Sequence, residues 1–400
     1  MKLIIKGKSK IKSLLKTAPF YLFRLVPLHN KVVASSFKGQ KYGDNPQYIH
    51  EKLHDIDNKI DIVWLKELEH NYSVPSWMRV ASWNLRLSSI YEIATAKVII
   101  DTHRFQKEIR KRKGQLFIET WHGGLGIKKL DTDSPLYCNS KYINDEIATT
   151  NKLADVFISQ SDHLSNIYRN TFGYKGPIWK CGYPKNDIFF TENRKIRDKV
   201  RQEFGLKDEH ILLYAPSFRD SFYKVKEIDT TVYDVDFALL ASSLQERFGG
   251  EWRIMVRWHP LFAEEIRKKK DIPSSVIDAT LYPDMQELLL SADALLSDYS
   301  SCLFDAALRE IPCFIFATDY ETYKEGRGVY YELDELPFPY ATNNKSLPEV
   351  IMRFDDIQYK NNLKNFFLQT GVVETGHASE DIARKINGYI KGEKIDWNTI

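Results

Sequence analysis

The stretch LLSADALLSDYSSCLFDAALREIP, residues 289–312, decides the fold. Ala292 to Ser297 is a short, mainly apolar run of the kind a parallel strand shows when both faces are covered. Cys302 to Arg309 has helical spacing that stops before Pro312. A strand that enters a helix through Asp298, Tyr299, Ser300 and Ser301 puts two serines at the helix start. Unpaired backbone N–H groups and the positive end of the helix dipole favour an anion there. Serine is also a common helix cap, so the choice between cap and phosphate site rests on the rest of the chain.

Outward from this segment, short apolar runs alternate with helical segments almost throughout, which argues for parallel sheets flanked by helices. In the first half, strands are predicted over residues 31–35, 60–65, 96–101, 116–120 and 155–159. In the second they are predicted over 211–215, 253–257, 275–278, 294–297 and 313–316. The fold class is therefore α/β, with two Rossmann-like domains. A charged segment from Thr191 to Glu209 supplies the hinge, giving a basic amphipathic segment over 1–28, an N-terminal domain over 29–195 and a C-terminal domain over 196–400. In such sheets ligands sit beyond the carboxyl ends of the strands.

Charge is unevenly placed. The net charge is +3, yet ten Lys or Arg residues precede the first acid, Asp44, so the remainder is net acidic. Lys2, Lys6, Lys8, Lys10, Lys12 and Lys16 alternate with aliphatic residues, and an apolar patch follows from Phe20 to Val26. That pattern suits an anionic membrane surface, each basic residue contributing about 1 kcal/mol. Arg24, Pro19 and Pro27 argue against a spanning helix or a signal peptide. Arg104 to Lys113 (RFQKEIRKRK) is a second basic cluster that extends this surface or meets an anionic acceptor. No nucleic-acid partner is expected from the acidic remainder. Cys138, Cys181, Cys302 and Cys313 lack CxxC spacing and read as reduced, buried and cytoplasmic.

The unusual residues fall at strand ends. QLFIET runs into Trp121, His122, Gly123, Gly124, Leu125, Gly126, Ile127 and Lys128. The glycines allow close backbone approach, Lys128 adds charge, and His122 is the residue of this loop able to exchange a proton near neutral pH. HILLYA ends in Ser217, Phe218 and Arg219, and WRIMVR ends in Arg257, Trp258 and His259. With Ser300 and Ser301 these loops converge on one sheet edge as a pocket suited to a diphosphate. Arg327, in Gly-Arg-Gly, offers another cation on a loop, and Asp305, one turn beyond Ser301, either meets a ribose or lies on the helix surface. Asp131 and Asp133 form an Asp-x-Asp triplet without a third ligand, so neither a metal nor another cofactor is expected. The absence of a GxxxxGK[ST] loop disfavours an ATPase.

From VVASSFKGQKYGDNPQYI (32–49) through TWHGGLGIKKL (120–130), GYPKNDIFF (182–190), LYAPSFRD (213–220), RWHP (257–260) and LLSDYSSCLFDAA (295–307) to GRGVYYELDELPFP (326–339), the chain resembles the CDP-glycerol glycerophosphotransferases of teichoic acid and capsule synthesis. The resemblance implies a GT-B-like architecture, two Rossmann-like domains facing across a cleft, with CDP-glycerol or another CDP-polyol held by the second. It implies His122 as base, with Asp298, Ser300, Ser301 and His259 on the donor diphosphate. Gly123, Gly124, Lys128, Tyr183 and Asp187 are expected on the acceptor side of the cleft. The acceptor implied is a lipid-linked saccharide or polyol phosphate, at the cytoplasmic face of the cell membrane, with the protein peripheral. The family's usual His-Gly-Thr-Pro-Leu-Lys departs here to His-Gly-Gly-Leu-Gly-Ile-Lys, so a changed acceptor side is expected. The short length favours a priming or single-addition enzyme over a long-chain polymerase. Rival readings are a glycosyltransferase using a nucleotide sugar and a non-catalytic, membrane-associated assembly protein.

Overall fold

The computed structural model describes residues 16–220, 229–259, 262–269 and 272–397. Lys2 through Lys12 of the basic segment, and Pro260, lie outside the described residues.

The chain divides into two compact α/β units. The first carries a parallel sheet of β1 (His29–Ser35), β2 (Asp61–Lys66), β3 (Arg79–Ser82), β4 (Ala96–Asp101), β5 (Leu116–Glu119), β6 (Val156–Ser159) and β7 (Ile178–Lys180), in the order β3-β2-β1-β4-β5-β6-β7. The second carries β8 (His210–Tyr214), β9 (Trp252–Val256), β10 (Ile277–Asp278), β11 (Ala294–Ser297), β12 (Cys313–Phe316) and β13 (Tyr340–Ala341), in the order β10-β9-β8-β11-β12-β13, again all parallel. Both sheets reverse their strand order once, between β1 and β4 and between β8 and β11. Loops leaving the two strands at such a point diverge and leave a crevice beyond their carboxyl ends.

Every strand expected from the sequence is present, its ends shifted by at most two residues. β5, β6, β11 and β12 are buried at every position, which is why they read as unbroken apolar runs. The strands not anticipated, β3, β7 and β13, are short and lie at sheet edges, where one side needs no partner.

A single boundary near residue 195 does not describe the units. The first comprises residues up to His122, Ser140–Asp187 and those from Val373 on; the second comprises Gly123–Asn139 and Ile188–Val372. The C-terminal helix Ala378–Lys391 buries Ile382, Ile386 and Ile390 at helical spacing and packs on helix Asp44–Ile56 of the first unit. Leu125 and Ile127 are fully buried in the core of the second unit, and the Lys129 N–H donates to the Gly328 carbonyl at 3.0 Å. Gly328, at φ 81°, allows this approach, because a Cβ there would lie 2.9 Å from the Lys129 side chain. Cys181, Cys302 and Cys313 are buried, but Cys138 is exposed, contrary to the expectation of four buried thiols.

Candidate active site

In the first unit, the strand ends build a support for one imidazole. Asp101 closes β4 and accepts hydrogen bonds from Ser35 Oγ of β1 (2.5 Å) and from the His103 N–H (2.9 Å). This ties the loops on either side of the reversal point. Thr102, held in the same turn, accepts through Oγ1 from the Phe37 N–H (3.0 Å) and through its carbonyl from His122 Nδ1 (2.9 Å). A carbonyl can only accept, so Nδ1 of His122 carries the proton and the neutral ring has its lone pair on Nε2. The backbone around the ring is fixed as well: Asn45 Nδ2 donates to the Trp121 carbonyl (3.2 Å) and Lys185 Nζ to that of His122 (3.1 Å). The rings of Phe37, Trp121 and His103 lie 5.3, 4.7 and 5.5 Å from that of His122.

Burial pushes His103 down to about 2, so this neighbour is neutral at physiological pH. Burial also pushes the Asp101 carboxyl up to about 7 against the hydrogen bonds that favour its charge. Trp121 adopts φ 54°, a left-handed conformation costly for a bulky residue.

In the second unit, Asp298 takes the place that Asp101 has in the first. Its Oδ1 accepts from the Ser217 N–H (2.8 Å) and the Tyr299 N–H (2.6 Å), and its Oδ2 from Arg219 Nη1 (2.8 Å). Arg219 also donates from Nε and Nη2 to Asp319 (2.7 and 3.0 Å), and its guanidinium lies within 4.8–5.3 Å of the Tyr299, Tyr233 and Tyr323 ring centres. The expected diphosphate cation is thus a buried pillar, its charge matched by two carboxylates. The Asp298 carboxylate is likewise occupied inside the fold, being 1 % exposed.

Other cations fit an anion better. Arg257, just after β9, donates Nη1 to the Tyr282 carbonyl (2.9 Å). Burial lowers its pKa. Lys128 belongs to this unit and not to the acceptor side where the sequence suggested it. Its amine has no hydrogen bond or ion pair among the described residues, and burial, then the charge of Arg327, lowers its pKa. A bound anion relieves both penalties. Arg327 pairs with Asp220 (2.9 Å) and donates Nε to the Lys129 carbonyl (3.1 Å), fixing the Lys128 loop. His259 sits beside Phe218, ring centres 5.3 Å apart.

Ser300 Oγ accepts from the Cys302 N–H (3.3 Å), while Ser301 precedes helix Cys302–Ala307 without a side-chain cap. Gly126 comes close: a Cβ on it would lie 3.9 Å from that of Ser301. Gly123 and Gly124 open this same loop. A pocket of about 340 Å³ borders Arg219, Asp220 and Arg327, with Phe218 and Tyr233 as apolar walls.

Three candidates have other duties. Asp305 is 3 % exposed and accepts from Gln286 Nε2 (3.2 Å), so it does not lie on the helix surface. Tyr183 is fully buried, its hydroxyl 3.2 Å from that of Tyr168. Asp187 accepts from the Ala378 and Ser379 N–H groups (3.1 and 2.7 Å) and so caps the C-terminal helix. Asp133 accepts from the Tyr330 hydroxyl (2.7 Å), and the described residues contain no cluster of three metal-ligating side chains. Sequence reasoning missed Asp101, Asn45, Lys185 and Asp319. The one signal for the first was that Asp101, like Asp298, follows an apolar run at a strand end.

The chain is 28 % identical over 386 residues to a teichoic acid poly(glycerol phosphate) polymerase of Bacillus spizizenii, covering 92 % of this chain and 95 % of the relative. It is 26 % identical to a teichoic acid glycerol-phosphate transferase of Staphylococcus aureus, covering 95 % and 99 %. A polymerase of nearly equal span removes the argument from short length to priming. The solved wall teichoic acid polymerase TagF, in its H548A form, superposes with a TM-score of 0.81 at 25 % identity, covering 98 % of each chain. The sequence model of the CDP-glycerol:poly(glycerophosphate) glycerophosphotransferases matches residues 20–388, and the chain belongs to that family.

Proposed function

We propose that this protein transfers glycerol phosphate from CDP-glycerol to a hydroxyl of a membrane-linked acceptor in teichoic acid synthesis, with His122 as the base. His122 Nε2 takes the proton of the acceptor hydroxyl. The acceptor oxygen then attacks the glycerol-bearing phosphorus, the bond from that phosphorus to the bridging oxygen breaks, and CMP leaves with the electron pair. Charge grows on the CMP phosphate, where Arg257, Lys128, His259, Ser300 and Ser301 are its stabilisers. Arg219, Asp298 and Arg327 position that group. The observation carrying the assignment of the base is the Nδ1–H bond to the Thr102 carbonyl, which selects the tautomer a base requires.

The membrane reading is supported by a surface of the first unit. Arg24, Lys107, Lys113 and Lys152 gather there beside exposed Tyr21, with Leu25 84 % exposed on the same segment. Four such cations contribute about 1 kcal/mol each near an anionic leaflet. Part of the Arg104–Lys113 cluster is internal: Lys111 pairs with Asp155, and Arg112 donates to the Phe23 and Val26 carbonyls. No helix of the described residues is long and apolar enough to cross a membrane.

The test is nucleotide release with membrane extract as acceptor: CMP from CDP-glycerol and from CDP-ribitol, and the nucleoside diphosphate from a nucleotide sugar, in parallel. CMP from CDP-glycerol is expected. Turnover of the nucleotide sugar alone contradicts the proposal and favours a glycosyltransferase.

A further inference from the structure

Behind the Trp121–His122 turn, inside the first unit, lies a small, largely apolar cavity whose lining includes four residues that each carry a buried, unpartnered polar atom. Glu119 Oε2, Trp121 Nε1, Thr150 Oγ1 and Asn151 Oδ1 are all buried without a hydrogen-bond partner among the described residues, and all four side chains line this one space. Four orphaned polar atoms in one place exceed what a folded interior tolerates, since each costs about 1–3 kcal/mol. The space amounts to about 10 Å³ for the centre of a water-sized sphere, enough for one water.

The groups sort by chemistry. Glu119 Oε1 already accepts from the Trp121 N–H at 3.0 Å, and Asn151 Nδ2 already donates to the Phe172 carbonyl at 2.6 Å. Asn151 therefore offers its oxygen to the cavity, and Trp121 offers its indole N–H. Burial, and next the charge of Asp101, hold the Glu119 carboxyl well above the usual carboxylate range. Protonated, it accepts through Oε1 and donates from Oε2. Of the four unpartnered atoms, Glu119 and Trp121 then supply donors and Thr150 and Asn151 oxygen acceptors, beside Arg104, which shares the lining and opposes the upward shift of Glu119. That is the complement of a single tetrahedral water.

We propose that one buried water joins Glu119, Trp121, Thr150 and Asn151, and that Glu119, through this water and its bond to the Trp121 N–H, is a positioning residue for His122. Trp121 needs such a clamp. It holds φ 54°, and a strained residue keeps its conformation only where its surroundings fix it from several sides. Glu119 grips its backbone, Asn45 its carbonyl, and the water its indole. Relaxation of Trp121 turns the adjoining imidazole away from the Thr102 carbonyl. The positioning role, though not the water site itself, rests on His122 being the base.

The experiment has a structural and a kinetic arm. A high-resolution crystal structure of the intact protein is expected to show one water within hydrogen-bond distance of the four atoms; a dry cavity overturns the site. Glutamine reproduces both bonds of a protonated glutamate, so Glu119→Gln is expected to keep kcat within about threefold of the parent. Glu119→Ala and Trp121→Phe are expected to lower kcat about ten- to hundredfold with KM for CDP-glycerol unchanged. Equal loss in Glu119→Gln and Glu119→Ala overturns the positioning role and marks an ionised carboxylate instead. A His122→Ala control that retains activity refutes the base, and does so without touching the water found in the crystal.

Discussion

At the carboxyl end of β4, Asp101 ties the first-strand loop to the fourth through Ser35; at the carboxyl end of β11, Asp298 does the same through Ser217. The two sheets share a strand order and this aspartate staple, and differ in what stands behind it. Asp298 has Arg219 at 2.8 Å, whereas Asp101 has no ion pair among the described residues and is pushed up to about 7. The second unit thereby fixes charges near Lys128, which with Arg257 is a cation suited to a diphosphate. The first holds its buried Asp101 and His103 towards their neutral forms beside one imidazole. On the proposed assignment, one topology serves anion binding in one unit and proton transfer in the other, and the difference lies in the partner given to one buried carboxylate.

The strongest way to break this comparison is to remove the pillar. Arg219→Ala leaves Asp298 and Asp319 buried and uncompensated, and is expected to cost about 3–5 kcal/mol in denaturant unfolding. Unchanged stability with lost donor affinity would make Arg219 a ligand after all. Arg257→Ala and Lys128→Met are expected to weaken CDP-glycerol binding, followed by calorimetry, about ten- to hundredfold. Lys128→Met should not lower the melting temperature, because the amine it removes is held against its burial.

Asp101 gives a smaller, pH-dependent effect. Its folded-state pKa, about 7, lies above its ordinary value of 3.8. The unfolded chain therefore releases this proton first, and stability falls as pH rises between these values. The loss is about 1.4 kcal/mol per pH unit at most, and it levels off above the folded value. Asp101→Asn should flatten that slope in melts from pH 4 to 8; an unchanged slope would mean that Asp101 is ionised throughout. Asp187→Ala, which uncaps the C-terminal helix, should cost about 1 kcal/mol without altering KM. A raised KM would return Asp187 to the substrate.

Much of the fold was legible because a parallel strand covered on both faces leaves an unbroken apolar run, as Ala294 to Leu296 and Val98 to Ile100 do. β3, β7 and β13 escaped for the same reason, since edge strands leave weaker runs. His122, Arg257, His259, Ser300 and Ser301 were legible because they follow strands. What failed needed distant partners: Lys128 changes unit because Leu125 and Ile127 join the second core, and Asp187 becomes a cap because a helix 191 residues away begins beside it. Arg219 looked like a ligand because its two carboxylates come from other strand ends.

The most direct test of the central claim is the rate of CMP release by His122→Ala at saturating CDP-glycerol. Loss of a general base predicts a fall of about 10²- to 10⁴-fold with donor affinity intact. A rate within about threefold of the parent, a difference of under 1 kcal/mol in the barrier, would contradict it.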